Sequence, residues 1–325
     1  MTLKKSISVI LLLCGLCPML FSQVTEGEAK LRSMRTDTLE GWKKGGVVGL
    51  SLAQASLKNW AAGGQNSVAV NGLLSVYANY KKGNAVWDNS LDMGYGLLKQ
   101  GKNSDFIKTD DKLDILSKFG KQAFKNFYYA ALVNFKTQMT VGKNYAKDTA
   151  KISNFLAPAY LVGALGMDYK PNSYLSAFIA PLTGKITLVN DQDLANAGAF
   201  GVTPAKYDEF QNLLKKGARS KSEFGGYIRM IYSRNDFKSE LLKNISFTSK
   251  IDLFSNYLKE PKNIDVSWET QLALQVNKYI TVNINTHLLY DDDIVIVMDK
   301  GTPEERSGRR VQFKEILGVG FTYKF

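Results

Sequence analysis

Apolar and polar residues alternate along much of this chain, and the pattern is clearest at its carboxyl end. Apolar side chains fall at Val319, Phe321, Tyr323 and Phe325, with small or polar residues between them. A period of two predicts a strand with one apolar face. A soluble sheet has no reason to place such a row on its final strand, whereas the closing strand of a transmembrane barrel meets lipid. The pattern therefore favours a transmembrane β-barrel.

The same alternation recurs in about twelve segments separated by turn signals. In the best of them, Ile264, Val266 and Trp268 share one face, while Asp265 and Glu269 share the other. The segments exceed the average soluble strand of about 5–6 residues and suit a tilted bilayer crossing of about 9–11. The predicted strands are 47–60, 67–80, 85–99, 111–120, 126–141, 155–168, 173–187, 219–234, 244–258, 263–277, 280–291 and 311–325.

The predicted connections alternate between short turns and longer loops, of which 188–218 and 292–310 are the longest. Short periplasmic turns and long external loops are typical of outer-membrane barrels. An even number of strands also places both chain ends on the short-turn, periplasmic side. Within loop 188–218, Pro204 precedes and Gly217 follows residues 205–214. Proline near the start and glycine past the end are typical of a helix, so a short helix is predicted here. That helix would lie on the surface, cap the barrel mouth or fold inward.

The amino terminus predicts export. Lys4 and Lys5 precede an apolar run from Ile7 to Leu20, which is typical of a signal peptide and too short to span a bilayer as a helix. Both cysteines lie inside this run, so the mature chain is expected to have no disulfide and no thiolate metal site. The predicted organisation is a cleaved signal peptide at 1–22, a periplasmic extension at 23–46 and a barrel at 47–325, in the outer membrane of a Gram-negative bacterium.

Composition and charge narrow the expected partners. The chain has 17 Phe, 16 Tyr and 4 Trp but only 7 Pro, which suits long unbroken strands. Its formal charge of +12 is scattered rather than clustered, so nucleic acid is not an expected partner. The expected partners are outer-membrane lipid, the barrel-assembly machinery through the C-terminal strand and, as an open alternative, another outer-membrane protein. Aromatic residues near strand ends predict interfacial girdles, formed by Trp60, Tyr80, Trp87, Tyr257, Tyr290, Tyr323 and Phe325.

The inward faces decide function, because a barrel of twelve strands lies between the filled eight-stranded barrels and the open channels of sixteen. A channel selective for one sign of charge needs an excess of that sign, whereas mixed charges satisfy one another across a narrow interior. The sequence leaves open a narrow porin-like channel or binder for small hydrophilic solutes and, alternatively, a non-enzymatic structural subunit of a larger outer-membrane assembly. The charged residues predicted to face the lumen are Asp88, Asp92, Asp114, Lys118, Lys136, Arg229, Lys250, Asp252, Asp265, Glu269, His287 and Lys314.

No enzymatic activity, cofactor or metal site is expected. The single histidine, His287, is predicted to face inward opposite Glu269, with Ser267 on the same face. An esterase would need such a serine and histidine, but an inward position away from lipid favours a structural polar role. The run Asp291–Asp293 lacks the glycine and glutamate of a calcium loop and is predicted to be a solvated loop. No nucleotide-binding motif is present.

Several sequence blocks resemble an uncharacterised family of Bacteroidota-type outer-membrane barrels, which is known only as a domain of unknown function. The sharpest block is Asn59-Trp60-Ala61-Ala62-Gly63-Gly64, followed by Trp87-Asp88-Asn89 and Phe155-Leu156-Ala157-Pro158-Ala159-Tyr160. The resemblance runs from about residue 42 to residue 325. It implies an outer-membrane barrel and supplies no catalytic or ligand-binding residues.

Overall fold

The computed structural model describes residues 40–57, 65–102, 104–144, 150–240, 242–277, 280–298 and 306–324. In this part of the chain, twelve long antiparallel strands form one closed ring. They are β1 (Gly41–Ala55), β2 (Ser67–Lys82), β3 (Ala85–Gln100), β4 (Ile107–Phe124), β5 (Phe127–Thr137), β6 (Ala159–Tyr169), β7 (Leu175–Leu188), β8 (Ser220–Arg234), β9 (Ile245–Asn256), β10 (Ile264–Gln275), β11 (Ile280–Tyr290) and β12 (Gln312–Lys324).

Each strand pairs with its neighbours in the sequence, and β1 also pairs with β12 to close the ring. The β1–β12 register runs from Val47↔Lys324 to Leu50↔Phe321, whereas β1 and β2 pair along all 15 residues of β1. The predicted fold class, an all-β transmembrane antiparallel barrel of about twelve strands, is confirmed. No helix in the described ranges has the length and apolar content to cross a membrane.

The strands alternate between an apolar outer surface and a buried inner surface. On β1, Leu52 is 67% exposed while its neighbour Ser51 is 1% exposed. The outward residues Tyr129, Val133 and Leu165 are likewise exposed, although all are apolar or aromatic. A contiguous apolar surface of this kind is costly in water and is stable against hydrocarbon.

Most connections at one end of the barrel are short, and the longest connections lie at the other end. The β2–β3 turn contains only Gly83 and Asn84, whereas residues 189–219 connect β7 to β8. Both described chain ends lie at the short-turn end, because Gly41 pairs with Lys81 beside the β2–β3 turn and Lys324 pairs within β1.

The first strand begins at Gly41 and not at Val47 as predicted. Residues 41–46, which were assigned to the periplasmic extension, continue the ladder with β2. The glycine pair at 45–46 lies within this ladder, opposite Tyr77 and Val76. The ring of Tyr77 covers Gly45, where a Cβ would lie 2.6 Å from the ring. The predicted signal peptide and residues 23–39 of the predicted extension lie outside the described residues.

β7 contains a bulge at Pro181. Its pairing with β6 shifts between Leu165 and Met167, and its pairing with β8 shifts at the same level. Proline lacks a backbone N–H and is accommodated at such irregularities. The neighbouring backbones approach closely here, since a Cβ on Gly166 would lie 2.0 Å from the carbonyl oxygen of Ile179.

The helix predicted at residues 205–214 is wrong. Residues 206–207 pair with residues 213–215 as a small hairpin. The reason is local: the Asp208 carboxylate accepts backbone N–H bonds from Phe210 and Asn212 at 2.9 and 2.7 Å, and such turns compete with helix. The helix of this loop, α1 (Gln192–Asn196), lies earlier and is capped by Asp191, which accepts from the N–H groups of Asp193 and Leu194.

Candidate functional site: a closed lumen with a vestibule

The interior between the short turns and the barrel centre is filled by side chains. Leu116, Leu132, Phe178 and Tyr227, from four different strands, belong to one buried apolar cluster. Close to it, the Lys118 ammonium forms an ion pair with Asp168 and lies 5.9 Å from the centre of the Phe178 ring. Nearer the short turns, Lys170 contacts Asp88 at 3.0 Å. This part of the lumen is therefore packed like a core.

Ion pairs between distant strands cross the middle of the barrel. Lys112 on β4 lies 3.5 Å from Glu269 on β10, and these strands stand on opposite sides of the ring. Lys250 on β9 contacts Glu269 at 3.0 Å and lies 3.9 Å from Asp114 on β4. We call this set the charge layer; it comprises Lys112, Asp114, Lys136, Arg229, Lys250, Asp252 and Glu269.

The charge layer is largely shielded from solvent. Lys250 is 0% exposed, and Asp114 is 3% exposed. Lys136 on β5 reaches across to Asp252 on β9 at 3.6 Å, and Arg229 lies 3.6 Å from the same carboxylate. Buried charges are stable only when they are paired, so these contacts hold opposite walls together.

A cavity of about 390 Å³ lies between the charge layer and the long loops. We call it the vestibule. Lys136, Asp252 and Glu269 of the charge layer contribute to its floor. Its wall and mouth include Tyr160, Lys185, Asp265, Asp291 and Lys314.

Further ion pairs tie the vestibule wall to the loops. Lys185 contacts Asp265 at 2.8 Å and Glu223 at 3.6 Å. Lys221 contacts Glu223 at 3.0 Å and also pairs with Asp293, in the loop after β11. The Asp293 carboxylate, in the loop after β11, is therefore held by a lysine from the barrel wall.

His287 lies opposite Glu269, as the sequence predicted from the β10–β11 turn. Its Nε2 lies 3.0 Å from the hydroxyl of Ser267, which is within the reach of a nucleophile and a base. The two Glu269 oxygens instead contact the ammonium groups of Lys250 and Lys112. The serine and histidine therefore form a polar bridge on the vestibule wall.

The predicted lumen residues divide between packed interior and vestibule. Six of them are buried within the charge layer or between it and the short turns, and the other six line the vestibule. Asp88, Asp92, Asp114, Lys118, Arg229 and Lys250 are buried in the interior, whereas Lys136, Asp252, Asp265, Glu269, His287 and Lys314 line the vestibule.

Sequence reasoning missed several interior residues. Asp168 and Lys170, which pair with Lys118 and Asp88, lie at the end of the strand predicted at 155–168 and just beyond it. Lys185 lies on β7, where the bulge at Pro181 interrupts the alternation that would have identified its inward position. Knowing how the strand pairs beyond the bulge would have shown that Lys185 faces inward.

Aromatic residues gather on the outer surface near the short turns. Trp42 lies 5.1 Å from Tyr80 and 5.7 Å from Trp87, measured between ring centres. At the other end, Tyr257 is 46% exposed and contacts Phe224, and the Tyr290 hydroxyl donates to Asp292. Of the other predicted girdle residues, Trp60, Phe325 and the side chain of Tyr323 lie outside the described part.

Two of the three aspartates after β11, Asp292 and Asp293, contact basic groups. Asp293 accepts a hydrogen bond from Lys259 at 3.1 Å in addition to the one from Lys221, and Asp292 lies 3.2 Å from Arg309. Within the described ranges, no group of three or more histidine, cysteine, aspartate or glutamate side chains is placed to hold a metal ion.

The closed antiparallel ring, its apolar outer surface and its charged interior define the class of protein: a twelve-stranded β-barrel of the outer-membrane type. Residues 52–143 match a family described as "Protein of unknown function (DUF3078)". The match confirms the resemblance to an uncharacterised family; the Bacteroidota origin stays a prediction. No curated protein matches the chain.

Three solved barrels are similar to this chain in overall shape. An outer-membrane channel from Pseudomonas putida F1 is 8% identical, with 89% of this chain and 97% of that chain covered and a TM-score of 0.38. The translocator domain of the autotransporter NalP from Neisseria meningitidis is 11% identical, with 92% and 94% covered and a TM-score of 0.33. Outer membrane phospholipase A from Escherichia coli is 10% identical, with 92% and 98% covered and a TM-score of 0.34. Likenesses this distant carry no argument about activity.

Proposed function

We propose that this protein lies in the outer membrane of a Gram-negative bacterium, where it binds a small hydrophilic solute in the vestibule without conducting it. The apolar outer surface supports the location, since Leu52, Tyr129 and Leu165 stand exposed among apolar neighbours. The apolar run from Ile7 to Leu20 behind two lysines supports export. Gly41 and Lys324, the outer ends of the first and last described strands, both lie toward the short-turn end, which suits a periplasmic position for that end.

The charge layer is the observation that carries the proposal. Conduction needs a continuous water-filled path, and the contacts from Lys112 to Glu269 and from Lys136 to Asp252 cross the lumen where that path would run. Leaving a buried charge without its partner costs about 3–5 kcal/mol. The closed state is therefore favoured, and the vestibule above it is a blind pocket.

The vestibule has the size and lining of a binding site. Its volume of about 390 Å³ lies within the roughly 300–1,000 Å³ typical of small-molecule pockets. Tyr160 contributes aromatic surface, and Ser267 and His287 contribute hydrogen-bonding groups. The proposal assigns no reaction to the chain, and esterase activity that disappears in His287→Ala would contradict this.

Planar-bilayer recording of the purified protein tests the closed lumen. We expect no conductance steps from the wild type. A variant that changes Lys112, Lys136 and Lys250 of the charge layer to alanine, together with Leu132, Phe178 and Tyr227 of the packed interior below it, should conduct, because it removes side chains from both layers that fill the lumen. The matched control changes three exposed lysines near the short turns to alanine: Lys121, Lys125 and Lys238.

Stable conductance steps from the wild type would refute the blind pocket. Membrane fractionation tests the location separately: we expect the mature chain in the outer-membrane fraction, resistant to extraction with alkaline carbonate. Recovery as a freely soluble monomer would remove the basis of the whole proposal.

A second candidate, an accessory subunit of a larger outer-membrane assembly, is favoured by exposed apolar residues on the loops. Phe210 is 84% exposed and Leu214 is 69% exposed, both near the 206–215 hairpin, and Leu258 is 78% exposed. Cross-linking in intact cells, with Phe210→Ser and Leu214→Ser as the test variant, separates the candidates. A defined partner lost in that variant supports the subunit.

A further inference from the structure

The lysines that line the vestibule are already paired with carboxylates in the described part of the chain. Lys112 contacts Glu269 at 3.5 Å and Lys136 contacts Asp252 at 3.6 Å. At the wall, Lys185 contacts Asp265 at 2.8 Å. At the mouth, Lys314 contacts Asp110 at 3.5 Å. An anionic solute would have to displace one of these carboxylates before it could bind a lysine.

Asp291, by contrast, has no ion pair with a basic group among the described residues. One of its carboxylate oxygens accepts the backbone N–H of Asp293 at 2.9 Å. Lys185 attracts the Asp291 carboxylate electrostatically, but its ammonium group forms its ion pairs with Asp265 and Glu223. Burial raises the pKa of Asp291, and the charge of Asp265 raises it further.

Asp293, two residues away, shows the opposite behaviour. Burial acts to raise the pKa of Asp293 as well, but hydrogen bonds from Lys221 and Lys259 outweigh it and hold that pKa below its usual range. The two aspartates share one loop and differ in their partners. Of these two aspartates, Asp291 lines the vestibule and has no ion pair to compensate its negative charge.

A second carboxylate, that of Asp252, lies at the floor of the vestibule. Asp252 is 8% exposed, and its Oδ1 accepts a hydrogen bond from the Tyr227 hydroxyl at 2.5 Å. Its Oδ2 is buried, accepts no hydrogen bond from the described residues and lies 3.6 Å from the Lys136 ammonium. By register, Asp252 stands beside Ser267, which stands beside Leu289. Asp291 follows two residues later, so both carboxylates lie on one side of the vestibule, one nearer the floor and one nearer the mouth.

From these contacts we infer that the solute of the vestibule carries an ammonium group. The Asp291 carboxylate, which lines the cavity, binds the cationic group. The Asp252 Oδ2 is buried beside the Lys136 ammonium and takes no part in this contact. The Tyr160 side chain lines the site, and aromatic faces favour cations over anions. The inference rests on the proposed function, because it specifies what the vestibule binds.

Titration calorimetry on the full chain in a non-ionic detergent tests the inference with three four-carbon probes of similar size. The probes are 1,4-diaminobutane, 1,4-butanediol and succinate. We expect the diamine to bind at least tenfold more tightly than the diol, and succinate to bind more weakly than both. Asp291→Asn should weaken diamine binding at least tenfold, whereas the matched control Asp293→Asn should change it less than twofold.

The outcomes separate this inference from the proposed function. If the diol or succinate binds as tightly as the diamine, the cationic class is wrong and the binding pocket stands. If no probe binds the folded wild type, both are overturned. If Asp293→Asn weakens diamine binding as much as Asp291→Asn does, the assignment to Asp291 is wrong.

Discussion

Glu269→Ala provides a direct test of the charge layer, because this carboxylate contacts two lysines from different strands. Its Oε1 lies 3.0 Å from the Lys250 ammonium and its Oε2 lies 3.5 Å from that of Lys112. Lys250 is 0% exposed, so the variant leaves a buried ammonium without its nearest partner. Removing one partner of a buried ion pair costs about 3–5 kcal/mol. Because Asp114 remains 3.9 Å from Lys250, we expect about 3 kcal/mol, or roughly a hundredfold in the unfolding equilibrium.

Urea unfolding of the barrel in lipid vesicles, followed by tryptophan fluorescence, measures this loss. The double variant Lys250→Met, Glu269→Leu should recover most of it, since apolar side chains of similar volume often replace a buried pair at no cost. The control is Lys243→Ala, which removes an exposed ion pair with Glu240 and should change the free energy of unfolding by less than about 1 kcal/mol. A Glu269→Ala barrel as stable as the wild type, or a double variant no better than the single, would refute the reasoning.

Three further predictions address the bulge, the long loop and the outer surface. Gly166→Ala should lower the yield of folded, heat-modifiable barrel in refolding assays, because its Cβ would lie 2.0 Å from the carbonyl oxygen of Ile179; unchanged yield would contradict the close approach. Burial acts to raise the pKa of Asp191, but hydrogen bonds from Lys151 and Asn154 outweigh it and lower that pKa to about 2. The ionised Asp191 carboxylate therefore stabilises the loop 189–219 above the unfolded pKa of about 4, and this stability is lost as the pH falls toward 2. Pepsin should cut the loop faster at pH 2 than at pH 4. Asp191→Asn should reduce the difference between the two cleavage rates. A variant whose only tryptophan is Trp268, which is outward and 42% exposed, should be quenched by lipids brominated on their acyl chains, and lack of quenching would place β10 away from hydrocarbon.

The strands were predictable because their two faces meet different surroundings. β10 was predicted at 263–277 and spans Ile264–Gln275, since a shift by one residue would move its apolar row inward. The β10–β11 turn then fixed the opposition of Glu269 and His287. Alternation and a short turn are both local signals, so one sequence was enough.

The contacts that close the lumen were not predictable from the same signals. Lys112 and Glu269 are 157 positions apart in the sequence, and their meeting depends on the order of strands around the ring and on its width. Local chemistry also overrode pattern in the long loop, where Asp208 bonds to the backbone of Phe210 and Asn212 instead of allowing a helix. Sequence periodicity reports which way a side chain points but not which residue it meets across a cavity.

Mixed charge inside the barrel has a physical consequence for ligand selection. A lysine on β4, β5 or β9 can reach across the lumen only where an opposite wall supplies a carboxylate, as Glu269 and Asp252 do. Once these partners are fixed, the bases near the floor are no longer available to a solute. Lys185 and Lys314 are likewise held at the wall and mouth. Among the described residues that line the vestibule, Asp291 is the carboxylate that these ion pairs leave over, and this is why we infer a cationic solute.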